Sequence, residues 1–411
     1  MLNSEKMITS IDNQDLEHAE KYFLKALKND PDDVLLSLAQ YLEGIGFLDH
    51  AKKIYLSKKE LFPDVNINLA QIAAEDGNIE EAFLYLDQIA PDDDSYLSAL
   101  LVMADLYDLE GLTDVAREKL ILASQLSQDP IVIFGLAEIE LSLGHFDEAI
   151  KEYAKLDNRE ILAQTGISTY QRIGRAYAAL GKFEVAIEFL EKSLTISYDD
   201  ETVFELATIL YEQEAYQKAN LYFKQLDTMN PDFEGYEYGY ALSLHADNQI
   251  EDALKVTQQG IRKNEYDLQL LLLASQLSYE NHHKKDSETY LLRAYEIAED
   301  QEEVLLRLTN LYVEQERFDD VLKLETEEIE TVLTKWNIAK SFKALDREEE
   351  AFNAYQTIKD DLADNPEFLQ EYAILLREYG YIEEAKQMIQ HYLSIVPDDI
   401  NMQDFLDQLD E

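Results

Sequence analysis

The chain has 411 residues, 46% of them hydrophobic, and its 85 acidic and 35 basic residues give a net charge of −50. So strong a negative charge repels phosphates and anionic lipid, which excludes a direct nucleic-acid ligand and favours basic protein partners. The chain contains no cysteine, which excludes disulfides, thiolate catalysis and cysteine-ligated zinc or iron–sulfur sites.

A repeat of about 34 residues runs through the whole chain. It can be followed by an anchor position that is alanine in ten of twelve units, in chain order Ala19, Ala51, Ala82, Ala116, Ala149, Ala186, Ala219, Ala253, Ser287, Val321, Ala351 and Ala385. Twelve residues before all but the first of these stands another small residue, namely Ala39, Ala70, Ala104, Ala137, Gly174, Ala207, Ala241, Ser275, Thr309, Ala339 and Ala373. A pattern repeated this often indicates architecture, because a single ligand site would occur once.

The unit at 167–200 shows what each repeat predicts. Gly174 and Tyr177 lie on one face of a first helix, and Ala186 and Leu190 lie on one face of a second helix. Gly181, five residues before the anchor, would end the first helix in a left-handed conformation. Glycine stands there in six repeats, and Gln, Glu, Asn, His or Asp in the other six. The small residues would allow the two helices to cross closely.

Several units close with proline followed by aspartate, as at Pro31 and Asp32 and at Pro63 and Asp64. The proline would stop the second helix, and the aspartate would cap the next first helix.

This pattern resembles the tetratricopeptide repeat, over nearly the whole chain. The resemblance implies an all-α, right-handed superhelical solenoid of about twelve helix–turn–helix repeats, whose first helices line a concave groove. It also implies a role in holding peptides or partner proteins, and it does not imply catalysis.

We expect one uninterrupted solenoid over residues 1–411. Residues 1–31 would form a degenerate first repeat and cap, 32–399 the regular repeats, and 400–411 a capping helix with Phe405, Leu406 and Leu409 on its inner face. The spacing between anchors departs most from the average near 155–168 and 322–335. Each departure could be ordinary loop variation, a change of superhelical pitch, a hinge or part of a binding surface. Neither segment has the composition of a flexible linker.

A candidate binding stripe lies fifteen residues before the anchors. Nine of these eleven positions are apolar or aromatic, among them Leu101, Phe134, Phe204, Tyr238, Leu272, Leu306 and Trp336. Two interpretations remain open. The stripe is an exposed apolar surface that binds a partner, or it packs between successive first helices.

Basic residues lie on the same helix face, four or seven residues further along each first helix. They are Arg175, Lys340, Lys343 and Arg377. The group near Trp336 could hold an acidic peptide or a C-terminal carboxylate. The full residue set with which some tetratricopeptide proteins clamp chaperone tails cannot be matched.

No catalytic motif is present, and His282 with His283 falls on a turn, where adjacent side chains rarely face one metal. We therefore expect no enzyme activity, no cofactor and no metal. Neither a signal peptide nor a membrane-spanning run is visible, which predicts a cytoplasmic location. The leading interpretation is a protein-interaction scaffold or adaptor. The alternatives are a peptide-responsive regulator acting on a protein, or a non-catalytic subunit of an enzyme complex. The sequence leaves the oligomeric state open.

Overall fold

The computed structural model describes residues 1–326 and 328–410, so Glu327 and Glu411, which fall within the predicted irregular step and capping helix, lie outside the described residues. The described part contains 26 α-helices and no β-strand. Contacts within the fold divide the chain into two compact units, Met1–Ile209 and Leu210–Glu411. We refer to them as the N-terminal and C-terminal units.

The N-terminal unit begins with thirteen complete helices and ends within a fourteenth. They are α1 (Asn3–Asp12), α2 (Leu16–Asn29), α3 (Asp32–Gly44), α4 (Leu48–Lys58), α5 (Val65–Glu75), α6 (Ile79–Leu86), α7 (Tyr96–Leu109), α8 (Thr113–Leu126), α9 (Pro130–Ser142), α10 (Phe146–Tyr153), α11 (Asn158–Thr165), α12 (Thr169–Ala179), α13 (Phe183–Ile196) and α14 (Asp200–Glu212).

The C-terminal unit begins with the last residues of α14 and continues through twelve further helices. They are α15 (Tyr216–Met229), α16 (Tyr236–Ala246), α17 (Ile250–Lys263), α18 (Leu268–Glu280), α19 (Lys284–Ile297), α20 (Glu302–Glu314), α21 (Phe318–Leu322), α22 (Val332–Ala344), α23 (Glu348–Ile358), α24 (Pro366–Glu378), α25 (Ile382–Ile395) and α26 (Ile400–Asp410). Each predicted repeat contributes two helices, and α11 and α26 are additional, so the predicted all-α repeat fold is confirmed.

The turn inside every repeat contains one left-handed residue at the predicted position. In six repeats it is Gly46, Gly77, Gly111, Gly144, Gly181 or Gly380, with φ between 70° and 80°, and in the others it is Gln14, Glu214, Asn248, His282, Glu316 or Asp346, with φ between 55° and 62°. At Gly181 this conformation lets the Lys182 amide donate to the Tyr177 carbonyl oxygen at 2.9 Å, which closes the first helix. The position therefore requires positive φ whether or not it holds glycine.

The small residues lie where the two helices of a repeat cross. All twelve anchors and all eleven small residues paired with them are buried. The helices approach closely at Gly174, where an added Cβ would lie 2.8 Å from the Leu190 Cγ atom and 3.2 Å from the Ala186 carbonyl oxygen. The predicted role is confirmed at Gly174, since a larger side chain there has no space.

The aspartates after the prolines do not cap the following helices, so that prediction was wrong. Pro31 itself occupies the N-cap position with extended backbone, which moves Asp32 to the first helical position. Asp64 occupies the N-cap position of α5 without a capping hydrogen bond. Asp267 and Asn365 do cap, by accepting the amides of Leu270 and Phe368.

The two irregular steps have different structures. The longer step contains the extra helix α11, which begins after Asp157, whose carboxylate accepts two amide hydrogen bonds, and ends at the left-handed Gly166. The shorter step contains α21, a second helix of only 5 residues. At the C-terminal end, α26 buries Met402 and Leu409 against the preceding repeat.

Buried tyrosines predict a loss of stability at alkaline pH. Burial is the main cause that raises the pKa values of Tyr85, Tyr240, Tyr312 and Tyr372 to about 12, and nearby carboxylates add to it. An unfolded tyrosine ionises near pH 10, so the stabilisation is complete below pH 10 and is lost as the pH rises to 12. Each group contributes on the order of 1–2 kcal/mol.

Urea unfolding between pH 8 and pH 12 checks this expectation, with tyrosinate absorbance as a second signal. We expect a fraction of the tyrosines to ionise only together with unfolding. Ionisation of all 26 tyrosines in one step near pH 10, with the fold intact, would contradict it.

Candidate partner-binding surface

Within each unit, we define the first-helix face as the surface formed by residues fifteen, eleven and eight positions before each anchor. The predicted stripe lies on it but is not fully exposed. Leu101, Phe204, Tyr238 and Leu306 are half-buried, whereas Phe134, Leu272 and Trp336 keep only 6–9% of their surface accessible. These side chains thus pack partly between neighbouring helices, and only the remaining part of each is accessible to a partner.

The polar groups around Trp336 already have hydrogen-bond or ion-pair partners within the protein. Its indole Nε1–H donates to Glu371 Oε2 at 3.0 Å, and Tyr355 donates to the same oxygen. The Lys340 ammonium lies 3.8 Å from the centre of the Trp336 ring and pairs with Glu367 at 2.9 Å. Lys340 is therefore less available to an acidic ligand than the sequence suggested.

Arg377 and Lys343, the other predicted basic residues near Trp336, differ in exposure and in their contacts. Arg377 is exposed, and its guanidinium lies 5.1 Å from the centre of the Phe405 ring. Lys343 is half-buried, and within the described residues no carboxylate lies within 4.0 Å of its ammonium. Of the basic group near Trp336, these two remain available to a partner.

Arg175 belongs to a separate row of ion pairs in the N-terminal unit. Its Nε–H donates to Glu205 at 2.6 Å, and Arg172 pairs with Glu138 of the preceding repeat at 2.9 Å. Burial raises the pKa of Glu205, although the charge of Arg175 acts in the opposite direction. These charges hold neighbouring first helices together, so Arg175 already has a carboxylate partner within the N-terminal unit.

In the C-terminal unit, hydrogen bonds link the ends of successive first helices. The His245 ring Nε2 lies 2.6 Å from a Glu280 oxygen, and the Tyr279 hydroxyl donates to Glu314 at 2.6 Å. In both pairs the glutamate follows its partner by 35 residues, about one repeat. The sequence reasoning missed these pairs, although a search for polar partners one repeat apart would have found them.

A cavity of about 300 Å³ opens on the first-helix face between α18 and α20. Its lining consists of Ser275, Gln276, Tyr279, Ser287, Leu291, Arg307, Asn310, Leu311 and Glu314. Gln276, Tyr279 and Asn310 stand at the predicted positions eleven and eight residues before their anchors. The cavity therefore lies on the face that the repeat pattern indicates.

The floor and the rim of this cavity differ in character. The floor is formed by the buried residues Ser275 and Ser287, whose hydroxyl oxygens lie 2.9 Å apart, together with the side chains of Leu291 and Leu311. At the rim, Arg307 pairs with Glu303 at 2.6 Å. Since the rim charge is already compensated, the cavity suits a mainly apolar side chain flanked by hydrogen-bonding groups.

The described part of the chain offers neither a metal-ligand cluster nor a membrane-spanning helix. Over residues 1–326 and 328–410, no three His, Cys, Asp or Glu side chains are placed to hold a metal ion. His282 takes the left-handed turn position between α18 and α19. None of the described helices has the length and apolar character needed to cross a bilayer.

Family models of known repeats match four segments of the chain. A model described as YpiA-like, C-terminal tetratricopeptide repeats, matches residues 333–399, and a second, YpiA-like, tetratricopeptide repeats, matches 109–161. A general tetratricopeptide repeat model matches 9–33 and 167–200.

Among curated proteins, the TPR repeat-containing protein YpiA of Bacillus subtilis is 27% identical over 379 residues, which cover 90% of this chain and 89% of YpiA. Similar solved structures include a tetratricopeptide repeat protein from Parabacteroides merdae, with 14% identity and a TM-score of 0.41 over 60% of this chain and 98% of that one. Another is YrrB, described as a TPR protein with an unusual peptide-binding site, with 16% identity and a TM-score of 0.39 over 48% of this chain and 97% of that one.

The matched repeat models, the similarity to YpiA along nine-tenths of the chain and the helix pairs in one register agree with one another. The chain is similar to tetratricopeptide repeat proteins along nine-tenths of its length.

Proposed function

We propose that this protein is a cytoplasmic, non-catalytic adaptor whose first-helix face binds an extended or helical peptide of a protein partner. The observation that carries the proposal is the cavity between α18 and α20, because it opens on that face and has an apolar and hydroxyl-lined interior. Repeat proteins of this architecture commonly use the surface formed by their stacked elements for binding.

The accessible edges of the stripe would extend the contact beyond the cavity. Leu272 and Leu306 lie one helical turn before the cavity residues Gln276 and Asn310 on the same faces of α18 and α20. One apolar side chain buried in the cavity contributes about 1.5–3 kcal/mol, and contacts with the stripe add to it. Half-buried Tyr238, two repeats before Leu306, would mark the far end of this contact.

Charge would act mainly on the rate of association. The charges around the cavity are engaged in pairs, such as Arg307 with Glu303 and Lys284 with Glu314, so they offer a partner few free ionic contacts. The net charge of −50 attracts basic proteins over a distance and repels nucleic acid. We therefore expect a partner segment with an apolar anchor, within a protein that is basic overall.

Selection from a displayed random-peptide library against the purified protein tests this proposal. The blocking variant is Gln276→Trp with Asn310→Trp, which fills the mouth of the cavity at two exposed positions. We expect selected peptides to bind the blocking variant at least about tenfold more weakly, since an anchor contact of about 1.4 kcal/mol is lost.

The matched control places the same bulky side chains on second helices, as Gln225→Trp with Gln390→Trp, also at exposed positions. Its affinity should equal that of the unmodified protein. The proposal is wrong if the selected peptides bind the blocking variant with unchanged affinity, or if only the control weakens their binding.

A further inference from the structure

The second helices of the first two repeats carry a charge opposite to that of the chain as a whole. Helices α2 and α4 together contain six lysines and three acidic residues, in a protein whose net charge is −50. The two helices are neighbours, since the Phe23 and His50 rings lie 4.7 Å apart and His50 Nε2 lies 2.7 Å from a Glu20 oxygen. The positive charge is therefore concentrated in one place.

The lysines share a surface with exposed leucines. On α2, Lys21, Leu24, Lys25 and Lys28 follow the spacing that places side chains on one helix face. On α4, Lys53 and Leu56 stand at the same distances from their anchor as Lys21 and Leu24 do from theirs. We call these six residues the basic–leucine face.

The basic–leucine face is available for contact. Leu24 and Leu56 expose 52% and 40% of their surface. Among the described residues, no carboxylate lies within 4.0 Å of the ammonium groups of its four lysines. By contrast, Lys52 on α4 forms an ion pair with Glu81, and Lys58 forms one with Asp32.

We propose that the basic–leucine face is a second docking surface, which binds an acidic amphipathic helix of a partner protein. The helix would place its apolar residues on Leu24 and Leu56 and its carboxylates beside Lys21, Lys25, Lys28 and Lys53. This partner differs in chemistry from the one proposed for the first-helix face, and the two surfaces lie on different helices, so the protein could hold two partners together.

The charge of the whole chain favours a short acidic segment over two larger anionic partners, namely a second copy of the chain and an anionic membrane. A second copy of the chain also carries −50, so two copies repel each other over their full surfaces. An anionic membrane is an extended charged surface that meets the same repulsion, whereas four lysines contribute only about 1 kcal/mol each toward it. A helix with a few carboxylates experiences the local lysines and little of the rest.

This argument predicts an unusual dependence on salt. The Debye length is about 30 Å at 0.01 M salt and about 8 Å at 0.15 M. At low salt the acidic helix is repelled by the whole chain, and near 0.15 M it experiences chiefly the lysines. Affinity should therefore rise from 0.01 M to about 0.15 M and fall again toward 1 M.

The test uses fluorescence anisotropy with a labelled synthetic peptide that has leucines at helical spacing and glutamates elsewhere. A second peptide with lysines in place of the glutamates measures non-specific attraction to the acidic chain. Lys21→Glu with Lys53→Glu should weaken binding of the acidic peptide at least about tenfold, and Leu24→Ser with Leu56→Ser should weaken it severalfold.

The matched control is Lys224→Glu with Leu221→Ser, which alters an exposed lysine and an exposed leucine on the second helix α15. It should leave the affinity within about twofold. Every substituted side chain is at the surface, so we expect all variants to fold. Circular dichroism checks this. The blocking variant of the first-helix face should bind the acidic peptide normally, which separates this proposal from the first.

Three results would overturn the proposal. The first is an affinity for the acidic peptide that the lysine and leucine variants leave unchanged. The second is binding to phosphatidylglycerol vesicles that depends on the basic–leucine face while the peptide does not bind. The third is self-association in sedimentation experiments that the same variants abolish, without peptide binding.

Discussion

Replacing Phe368 with alanine is expected to lower the free energy of unfolding of the C-terminal unit by about 3–5 kcal/mol. The side chain is fully buried, and its ring centre lies 5.8 Å from that of Trp336 and 5.5 Å from that of Tyr372. Removing the ring leaves a cavity among aromatic side chains that cannot all move to fill it. Trp336 is the only tryptophan, so its fluorescence during urea unfolding reports on this region directly.

The control is Phe23→Ala, at an equally buried position in the N-terminal unit. In a repeat array each repeat is stabilised mainly by its neighbours, so this variant should shift the circular-dichroism transition and leave the tryptophan transition in place. Equal shifts of the tryptophan transition in both variants would show that the chain unfolds as one cooperative unit, contrary to this expectation.

Replacing Gly174 with leucine is expected to destabilise the N-terminal unit by about 3 kcal/mol, the upper end of the usual range for overpacking. The first added carbon would already lie 2.8 Å from Leu190 Cγ and 3.2 Å from the Ala186 carbonyl oxygen, and the leucine adds three more carbons. The two helices of the repeat would have to separate at their crossing. Thermal unfolding followed by circular dichroism measures the loss.

Gly181→Ala, seven residues away, distinguishes packing from backbone strain. No atom lies within 4 Å of an added Cβ there, but φ is +70°, so the cost is about 1–2 kcal/mol of backbone strain alone. If Gly174→Leu were no more damaging than Gly181→Ala, the close crossing of α12 and α13 would be in error.

The repeat architecture could be predicted because each structural requirement recurs twelve times. The left-handed turn residue shows this well, since Asn248 and Asp346 adopt the conformation that Gly181 adopts elsewhere. The left-handed turn position could therefore be identified from its distance to the anchor, even in repeats where the residue is not glycine. The burial of the anchors followed from the same register.

The positions of the irregular segments could be predicted from the anchor spacing, but their structures could not, because they have no equivalent elsewhere in the chain. Asp157 and Gly166 are a recognisable start and end for α11, but the repeat pattern assigns no helix to that place. The prediction that aspartates after prolines cap the next helix was wrong for a local reason, because Pro31 occupies the N-cap position itself.

The candidate surfaces were only partly visible from sequence. A position fifteen residues before an anchor can point outward or between two helices, and only the packing shows that Trp336 is largely buried while Tyr238 is half-buried. The basic–leucine face was hidden for another reason. Charges summed along the sequence combine first helices, turns and second helices, so the lysines of α2 and α4 are outweighed by acids that lie elsewhere.

The most direct measurement of the central claim is cysteine footprinting of the first-helix face. The chain contains no cysteine, so Asn310→Cys at the cavity rim and Gln390→Cys on a second helix each introduce a single reactive thiol at an exposed position. A peptide selected from the library should slow maleimide labelling at Asn310→Cys and leave Gln390→Cys unaffected. Labelling that stays fast at Asn310→Cys while the peptide is bound would contradict the proposal that partners bind the first-helix face.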